Sequence, residues 1–143
     1  MPTKRRHRFR PLRKLLHVAI GLLLFALIGV GYQIVGMVQD RKQHPPPGQL
    51  IDVGGYKLHL YCTGKGSPTV ILDAMGLGWS VYWSEVQPEI AKITRVCSYD
   101  RAGFGWSDTG RLPRIGRRMA DELHQLLTNG GISGPYVLVG HSL

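Results

Sequence analysis

The pattern of hydrophobic and polar residues divides the chain into two parts. Residues 15–38 form 24 consecutive positions without Asp, Glu, Lys or Arg, whereas short apolar runs separated by turn residues begin near residue 49. A helix rises about 1.5 Å per residue and needs roughly 20 apolar residues to cross a hydrocarbon core. Residues 15–38 therefore predict a transmembrane anchor in contact with the lipid bilayer. The alternatives are a cleaved signal, which has a shorter apolar run before a small-residue cleavage site, and a buried core helix.

Positive charge is concentrated ahead of this run. Seven of the 18 Lys and Arg residues lie in the first fourteen positions, no acidic residue precedes Asp40, and the rest of the chain is close to neutral. Only Arg41 and Lys42 follow the span closely, so the charge bias places the N-terminus in the cytoplasm and everything after Val38 outside. A nucleic-acid-binding domain spreads its cations over a folded face. We therefore expect no nucleic-acid partner.

The same patterning predicts the domain boundaries. A proline triplet at residues 45–47 cannot continue a helix and favours a stiff, extended spacer. The predicted segments are a basic cytoplasmic head at 1–14, a transmembrane anchor at 15–38, a polar, proline-rich linker at 39–48 and a folded body at 49–143. Two Cys residues without a Cys or His partner at zinc spacing indicate neither a disulfide scaffold nor a metal site. No cofactor is expected.

Strand patterns recur along the folded body. Two runs at 50–53 and 56–62, separated by Gly54-Gly55, are typical of an antiparallel hairpin. A short continuous apolar run at 69–72 and further strand-like runs at 95–99 and 136–139 are typical of buried parallel strands. The order predicts the α/β fold class, with a mostly parallel sheet and an antiparallel N-terminal hairpin.

Two helices are predicted between these strands. The first begins at about Ser84, which has capping-box spacing to Gln87, and its apolar face comprises Val86, Ile90 and Ile93. The second has an inner stripe that is closed by a pair of glycines at 130 and 131. The stripe residues are Met119, Leu123, Leu126 and Leu127.

The last four residues, Gly140-His141-Ser142-Leu143, contain four of the five positions of the motif G-x-S-x-G. In that motif a serine sits on a sharp, strained turn between a strand and a helix, which exposes its hydroxyl above the sheet. The tetrapeptide directly follows a predicted buried strand, which is the context that the motif requires. Ser142 is therefore a candidate nucleophile.

Three segments resemble the α/β-hydrolase superfamily, and specifically its membrane-anchored or exported serine hydrolases. They read TVILDAMGLGWSVYWSEVQPEIAKI, RVCSYDRAGFGWSD and YVLVGHSL, and together they cover most of residues 69–143. The family segment Y-D-x-x-G-x-G-x-S is matched by Tyr99, Asp100, Gly103, Gly105 and Ser107. The resemblance implies a partial α/β-hydrolase fold that ends within the nucleophile turn.

The resemblance also implies the catalytic roles. Ser142 would attack an ester, amide or other acyl carbonyl of a small-molecule substrate. The backbone N–H groups of Leu143 and Gly76 would hold the oxyanion, although Ala74-Met75 stands where many members have His-Gly. In this family the acid and the histidine follow the serine, so both partners are expected after residue 143. The 143-residue chain alone is expected to be inactive.

Other polar residues receive simpler interpretations. His59, on a strand near the sheet edge, and His124, on the outer face of a helix, are expected to be solvated, and His141 is expected to point away from its neighbour Ser142. Asp100 and Arg101 are expected to brace their loop by hydrogen bonds. Four aromatic residues could line an acyl pocket or simply fill the rim: Trp79, Tyr82, Trp83 and Trp106.

Cys62 and Cys97 lie on strands that are neighbours in the resembled fold. A disulfide between them is conceivable in an oxidising compartment. Two buried free thiols are the simpler account, and they are the prediction.

Two other functions remain open. The chain could be a non-catalytic, membrane-anchored module, or an acyltransferase that uses the same serine and delivers the acyl group to an alcohol. A dehalogenase or epoxide hydrolase is disfavoured, because those members of the resembled superfamily have Asp at the position of Ser142.

Overall fold

The computed structural model describes residues 10–142, and its first unit is one long helix. Helix α1 spans Arg10–Gln43, and its part Arg13–Asp40 is long and apolar enough to cross a membrane. Its apolar side chains are exposed within this chain, as expected of a helix whose surroundings are lipid. The basic head before residue 10 lies outside the described residues.

Helix α1 ends later than the sequence pattern indicates. The predicted linker began at residue 39, but the helix continues to Gln43, and the His44 N–H donates to the Asp40 carbonyl at 2.8 Å. The polar residues after Val38 contain no helix breaker before Pro45, so the helical hydrogen bonds persist after hydrophobicity ends. The extended spacer is therefore shorter than predicted.

The second unit, residues 46–143, opens with the predicted hairpin. Strand β1 (Gln49–Asp52) pairs antiparallel with β2 (Lys57–Thr63). At the turn, Gly54 and Gly55 have φ values of 98° and 100°, and both N–H groups donate to Oδ1 of Asp52. Positive φ at two successive positions is accessible mainly to glycine, which explains the Gly-Gly sequence.

Three parallel strands complete the sheet: β3 (Thr69–Asp73), β4 (Val96–Tyr99) and β5 (Tyr136–Gly140). The strand order is β1-β2-β4-β3-β5. β2 pairs antiparallel with β4, whereas β3 pairs parallel with both β4 and β5. The predicted fold class, a mostly parallel sheet with an antiparallel N-terminal hairpin, is confirmed.

The helix before β5 follows its predicted pattern. Helix α3 spans Gly116–Asn129 and packs against β1, with Leu126 and Leu127 buried and Met119 and Leu123 half-buried. Gly130 is its C-cap, and Gly131 adopts a φ of 66°. The inner stripe and its glycine closure are therefore confirmed.

The helix before β4 differs from its predicted pattern. Residues Ser80–Trp83 form a 3₁₀ turn, and helix α2 covers only Val86–Ala91. Ser84 closes the 3₁₀ turn in a helical conformation, φ −54° and ψ −34°, whereas a capping side chain needs an extended backbone. The predicted capping box is therefore wrong.

The predicted apolar face of this helix is also wrong. Val86 and Ile93 are 43% and 85% exposed. The side chain that α2 buries is Gln87, whose Nε2 donates to the Tyr61 carbonyl and to Oγ1 of Thr63. A side-chain amide can be buried when it donates to two acceptors. Gln87 therefore packs against the sheet, although the apolar periodicity predicts hydrophobic side chains on this face of the helix.

A disulfide joins two neighbouring strands. Cys62 and Cys97 stand directly opposite each other in the β2–β4 register, and their Cα atoms are 4.0 Å apart. They are disulfide-bonded, so the prediction of two free thiols is wrong. The pairing register determines this outcome, because it places both Cβ atoms on the same face at bonding distance. That face carries the hydrophobic core with Leu60, Ile71 and Leu126.

Candidate active site

The site is built at one edge of the sheet. Strands β3, β4 and β5 run parallel, so the loops that follow their carboxyl ends emerge side by side. These loops carry residues 74–79, 100–108 and 141–142. In open α/β sheets this edge is where ligands bind.

Ser142 occupies a strained turn immediately after β5. Its φ is +41°, and it is the only non-glycine residue with positive φ within residues 10–142. The left-handed conformation costs a residue with a side chain about 1–2 kcal/mol. The His141 N–H donates to the Asp73 carbonyl at 3.2 Å, which holds the turn against the end of β3. The backbone therefore bends at the position where the sequence motif needs its bend.

The loop after β3 approaches this turn. The Gly76 N–H donates to the carbonyl oxygen of Ser142 at 3.0 Å, and the Gly78 N–H donates to the Met75 carbonyl at 2.8 Å. The structure thus brings the two predicted site residues together. The Gly76 N–H is engaged by the backbone of Ser142 here, and an oxyanion would have to compete for it. Leu143, the other predicted donor, lies outside the described residues.

Asp100 organises the neighbouring loop. Its Oδ1 accepts the Ser80 N–H at 2.7 Å, and its Oδ2 accepts the Trp106 N–H at 3.0 Å and Nδ1 of His59 at 3.1 Å. Burial by itself raises the pKa of this carboxyl, but the hydrogen bonds from these three groups outweigh it and hold the Asp100 pKa below its ordinary value. Asp100 is a charged bracing residue, as its sequence context predicts.

His59 is fully buried, so its predicted solvation is wrong. Its Nε2 accepts the Gly48 N–H at 3.2 Å, which leaves Nδ1 to donate to Asp100. The ring also lies against Trp106, with centroids 4.9 Å apart. The strand that carries His59 is interior, between β1 and β4. When a sheet is packed on both faces, the side chains on both faces of an interior strand are buried, including the polar ones.

The remaining motif residues shape the loop around Asp100. The hydroxyl of Ser107 donates to the Asp100 carbonyl at 2.6 Å and accepts the His59 N–H at 2.9 Å. Gly105 has a φ of 52°, and a Cβ there would lie 2.3 Å from Oδ2 of Asp100. The motif Y-D-x-x-G-x-G-x-S is therefore explained here by hydrogen bonding and close backbone approach.

Arg101 links this loop to the loop after β3. Its side chain is 7% exposed, and its Nη2 donates to the carbonyls of Ala74, at 2.6 Å, and Met75. Its Nε lies 3.5 Å from Oδ1 of Asp73. Burial raises the pKa of Asp73, and the Arg101 charge and the Tyr99 hydroxyl only partly offset that rise. The predicted bracing role of Arg101 reaches further than its own loop.

The remaining predicted residues are His124 and the aromatic side chains of the loops. His124 is exposed on α3, and Trp79 packs edge-on against Tyr82. A largely apolar cavity of about 510 Å³ lies between β2 and α2, lined by Trp106, Tyr61 and others, and Ser142 does not line it. Within the described part of the chain, no three His, Cys, Asp or Glu side chains are grouped so that they could hold a metal.

Comparison with known proteins identifies the family. The sequence profile described as "alpha/beta hydrolase fold" matches residues 68–143. This chain belongs to that family. It is similar to the solved epoxide hydrolase CorEH, with 27% identity and a TM-score of 0.56 over 65% of this chain and 31% of that one. It is also similar to an esterase from Thermogutta terrifontis, with 29% identity and a TM-score of 0.55 over 59% of this chain and 31% of that one.

Two curated relatives carry membrane-related names. A probable transporter, efuK, from Hormonema carpetanum is 35% identical over 65% of this chain and 14% of its own length. A vacuolar membrane protein, YNL115C, from Saccharomyces cerevisiae is 31% identical over 62% of this chain and 16% of its own length. Helix α1 of this chain is long and apolar enough to cross a membrane. The chain spans less than a fifth of the length of either relative.

Proposed function

We propose that this chain supplies the nucleophile, Ser142, of a membrane-anchored serine hydrolase that acts on an ester, amide or other acyl carbonyl. The observation that carries the proposal is the positive φ of Ser142 directly after a parallel strand. Such a turn lifts the hydroxyl clear of the sheet so that a substrate carbonyl can reach it. The Gly76 N–H, 3.0 Å from the Ser142 carbonyl, supports the turn from the adjacent loop.

A serine hydroxyl is a poor nucleophile until a base takes its proton. Among the described residues, His59 is unsuited to that role because it is buried and both ring nitrogens are already engaged. We propose that the base and its orienting acid follow Leu143 in a longer gene product, called the longer protein below. Support comes from the relatives, because this chain covers 31% of each similar solved hydrolase.

The identity of the nucleophile favours acyl chemistry over epoxide opening. The similar solved structures include both an epoxide hydrolase and an esterase, so the shared fold alone does not choose between the two reactions. In this chain the strained turn carries a hydroxyl at Ser142 and not a carboxylate. A serine ester of the acyl group is an intermediate that water can hydrolyse, which agrees with ester or amide cleavage.

We further propose that the N-terminus is cytoplasmic and that the hydrolase domain is on the opposite side of the membrane. The cation-rich segment before α1 supports this orientation. The Cys62–Cys97 disulfide supports it independently, because structural disulfides form and persist in oxidising compartments.

The proposed function is tested with the longer protein carrying Ser142→Ala, assayed on p-nitrophenyl esters in detergent micelles. We expect activity to fall by about 1,000-fold or more, because loss of the nucleophile leaves only binding and oxyanion contacts. Ser67→Ala, in an exposed loop, is the matched control and should keep full activity. Esterase activity that survives in Ser142→Ala would contradict the proposal.

A further inference from the structure

One buried guanidinium holds the first residues of the loop that leads to Gly76. Arg101 lies two residues after the end of β4, and its Nη2 donates to two successive carbonyls, those of Ala74 and Met75. Its Nε lies 3.5 Å from Oδ1 of Asp73, the last residue of β3. A single side chain from the neighbouring strand thus contacts three consecutive residues.

The bond to Met75 fixes the direction of the next N–H. A peptide unit is planar, and in its trans form the C=O and the following N–H point in opposite directions. The Met75 carbonyl and the Gly76 N–H belong to one peptide unit. When Arg101 holds that carbonyl on its own side, the Gly76 N–H must point the other way, and it does so toward the carbonyl of Ser142 at 3.0 Å.

We infer that Arg101 is a positioning residue that aims the Gly76 N–H at the nucleophile turn, where the oxyanion of the reaction replaces the Ser142 carbonyl as its acceptor. The inference rests on the proposed function, since it requires Ser142 to be the nucleophile. Arg101 touches neither the Ser142 turn nor, in this account, the substrate. Its effect passes through the Met75–Gly76 peptide unit alone.

A simple ion pair with Asp73 does not account for this arrangement. The Nε–Oδ1 separation of 3.5 Å is long for a charge-assisted hydrogen bond, and the Asp73 side chain is 30% exposed. The short bonds go to two uncharged carbonyls. A buried cation is costly unless it is hydrogen-bonded, and here Nη2 donates two hydrogen bonds to the backbone of the loop.

The geometry also explains why arginine is needed. The guanidinium is a planar fork with several donors in fixed directions, whereas a lysine ammonium is a compact point charge on a flexible chain. Lysine at position 101 could remain near Asp73. It would not hold the carbonyls of Ala74 and Met75 in the same fixed orientation.

The test measures labelling of the longer protein by a fluorophosphonate probe, with the maximum labelling rate and the half-saturating probe concentration determined separately. We expect Arg101→Met to lower the maximum rate about 10- to 100-fold, less than the loss of an oxyanion donor, because the N–H remains but is no longer aimed. Arg101→Lys should fall between wild type and Arg101→Met. The half-saturating concentration should change by no more than about 2-fold, since oxyanion donors act mainly in the transition state.

Arg114→Met is the matched control. Arg114 is a partly buried arginine with a short ion pair to Glu122, and it lies outside the candidate site. Its replacement should lower thermal stability while leaving the labelling rate of the folded protein unchanged. This control separates a general loss of stability from misdirection of the Gly76 N–H.

The outcomes distinguish the two proposals. Wild-type rates in folded Arg101→Met, or an equal loss of rate in Arg114→Met, would overturn the role of Arg101 while leaving Ser142 as the nucleophile. If Arg101→Met does not fold, Arg101→Lys decides, and a wild-type rate in that variant would overturn the inference. Failure of the folded wild-type protein to be labelled would overturn the proposed function and this inference with it.

Discussion

Replacing Gly105 with alanine tests whether the loop after β4 is built around the carboxylate of Asp100. The new Cβ would lie 2.3 Å from Oδ2 and 2.7 Å from Cγ of Asp100, so the carboxylate must move. Oδ2 accepts hydrogen bonds from the Trp106 N–H and from His59 Nδ1. Hydrogen bonds to a charged group contribute about 1.5–3 kcal/mol each, and the φ of 52° adds about 1–2 kcal/mol for a residue with a side chain. We expect Gly105→Ala to cost about 4 kcal/mol or more.

Gly103→Ala is the matched control. Its φ is 90°, but no atom lies within 4 Å of the position that a Cβ would take. It should therefore incur only the conformational cost of about 1–2 kcal/mol. Both variants are compared by the apparent melting temperature of the longer protein in detergent, where 1 kcal/mol corresponds to about 2–4 °C. If Gly105→Ala melts no lower than Gly103→Ala, the reasoning about the Asp100 carboxylate is refuted.

Two further predictions concern stability. Burial raises the pKa of Glu122, but its bonds with Arg114 and Tyr56 outweigh that effect and lower it below the ordinary value of 4.5. The stabilisation is complete above that value and is lost as the pH falls through the folded pKa. Glu122→Gln should lower the free energy of unfolding by about 2–4 kcal/mol at pH 7. Because glutamine does not titrate, the free energy of unfolding in urea should also fall less steeply at acid pH in this variant than in wild type. An unchanged pH dependence would contradict this prediction. The Cys62–Cys97 disulfide should contribute about 2–4 kcal/mol. In cells lysed directly into denaturant, maleimide should modify neither cysteine before reduction and both after it; labelling without reductant would contradict the disulfide.

The strands and the turn at Ser142 could be predicted because local pattern determines them. Alternation and glycine pairs placed the hairpin, and a continuous apolar run placed β5 directly before Ser142. The buried face of α3 could also be predicted, because the spacing of its apolar residues places them on one side of a helix. In each of these cases the signal lies within a few neighbouring residues.

The predictions for His59 and for the two cysteines were wrong because residues distant in the sequence determine the surroundings of these side chains. The buried His59 pairs with the carboxylate of Asp100, which lies 41 residues later in the loop after the neighbouring strand β4. The disulfide depends on the β2–β4 register, which no local pattern specifies. The sequence contains one signal for the partner of His59, which is that the acidic Asp100 directly follows a buried strand. Residues at the ends of neighbouring strands lie close together at one edge of a sheet.

The contacts of Arg101 with the loop after β3 could not be predicted from the sequence. Sequence analysis predicted that Arg101 braces its own loop, but the carbonyls it binds belong to Ala74 and Met75 on another loop. Backbone acceptors carry no side-chain signature. Only the fold shows which peptide unit a buried arginine holds.

Mass spectrometry of the probe adduct shows directly whether Ser142 is the reactive nucleophile. The longer protein is treated with a fluorophosphonate, digested, and its peptides are sequenced. We expect one phosphonylated serine, at position 142, in the folded protein, and no adduct after heat denaturation. An adduct on another serine, or an unmodified Ser142 in folded protein, would contradict this expectation.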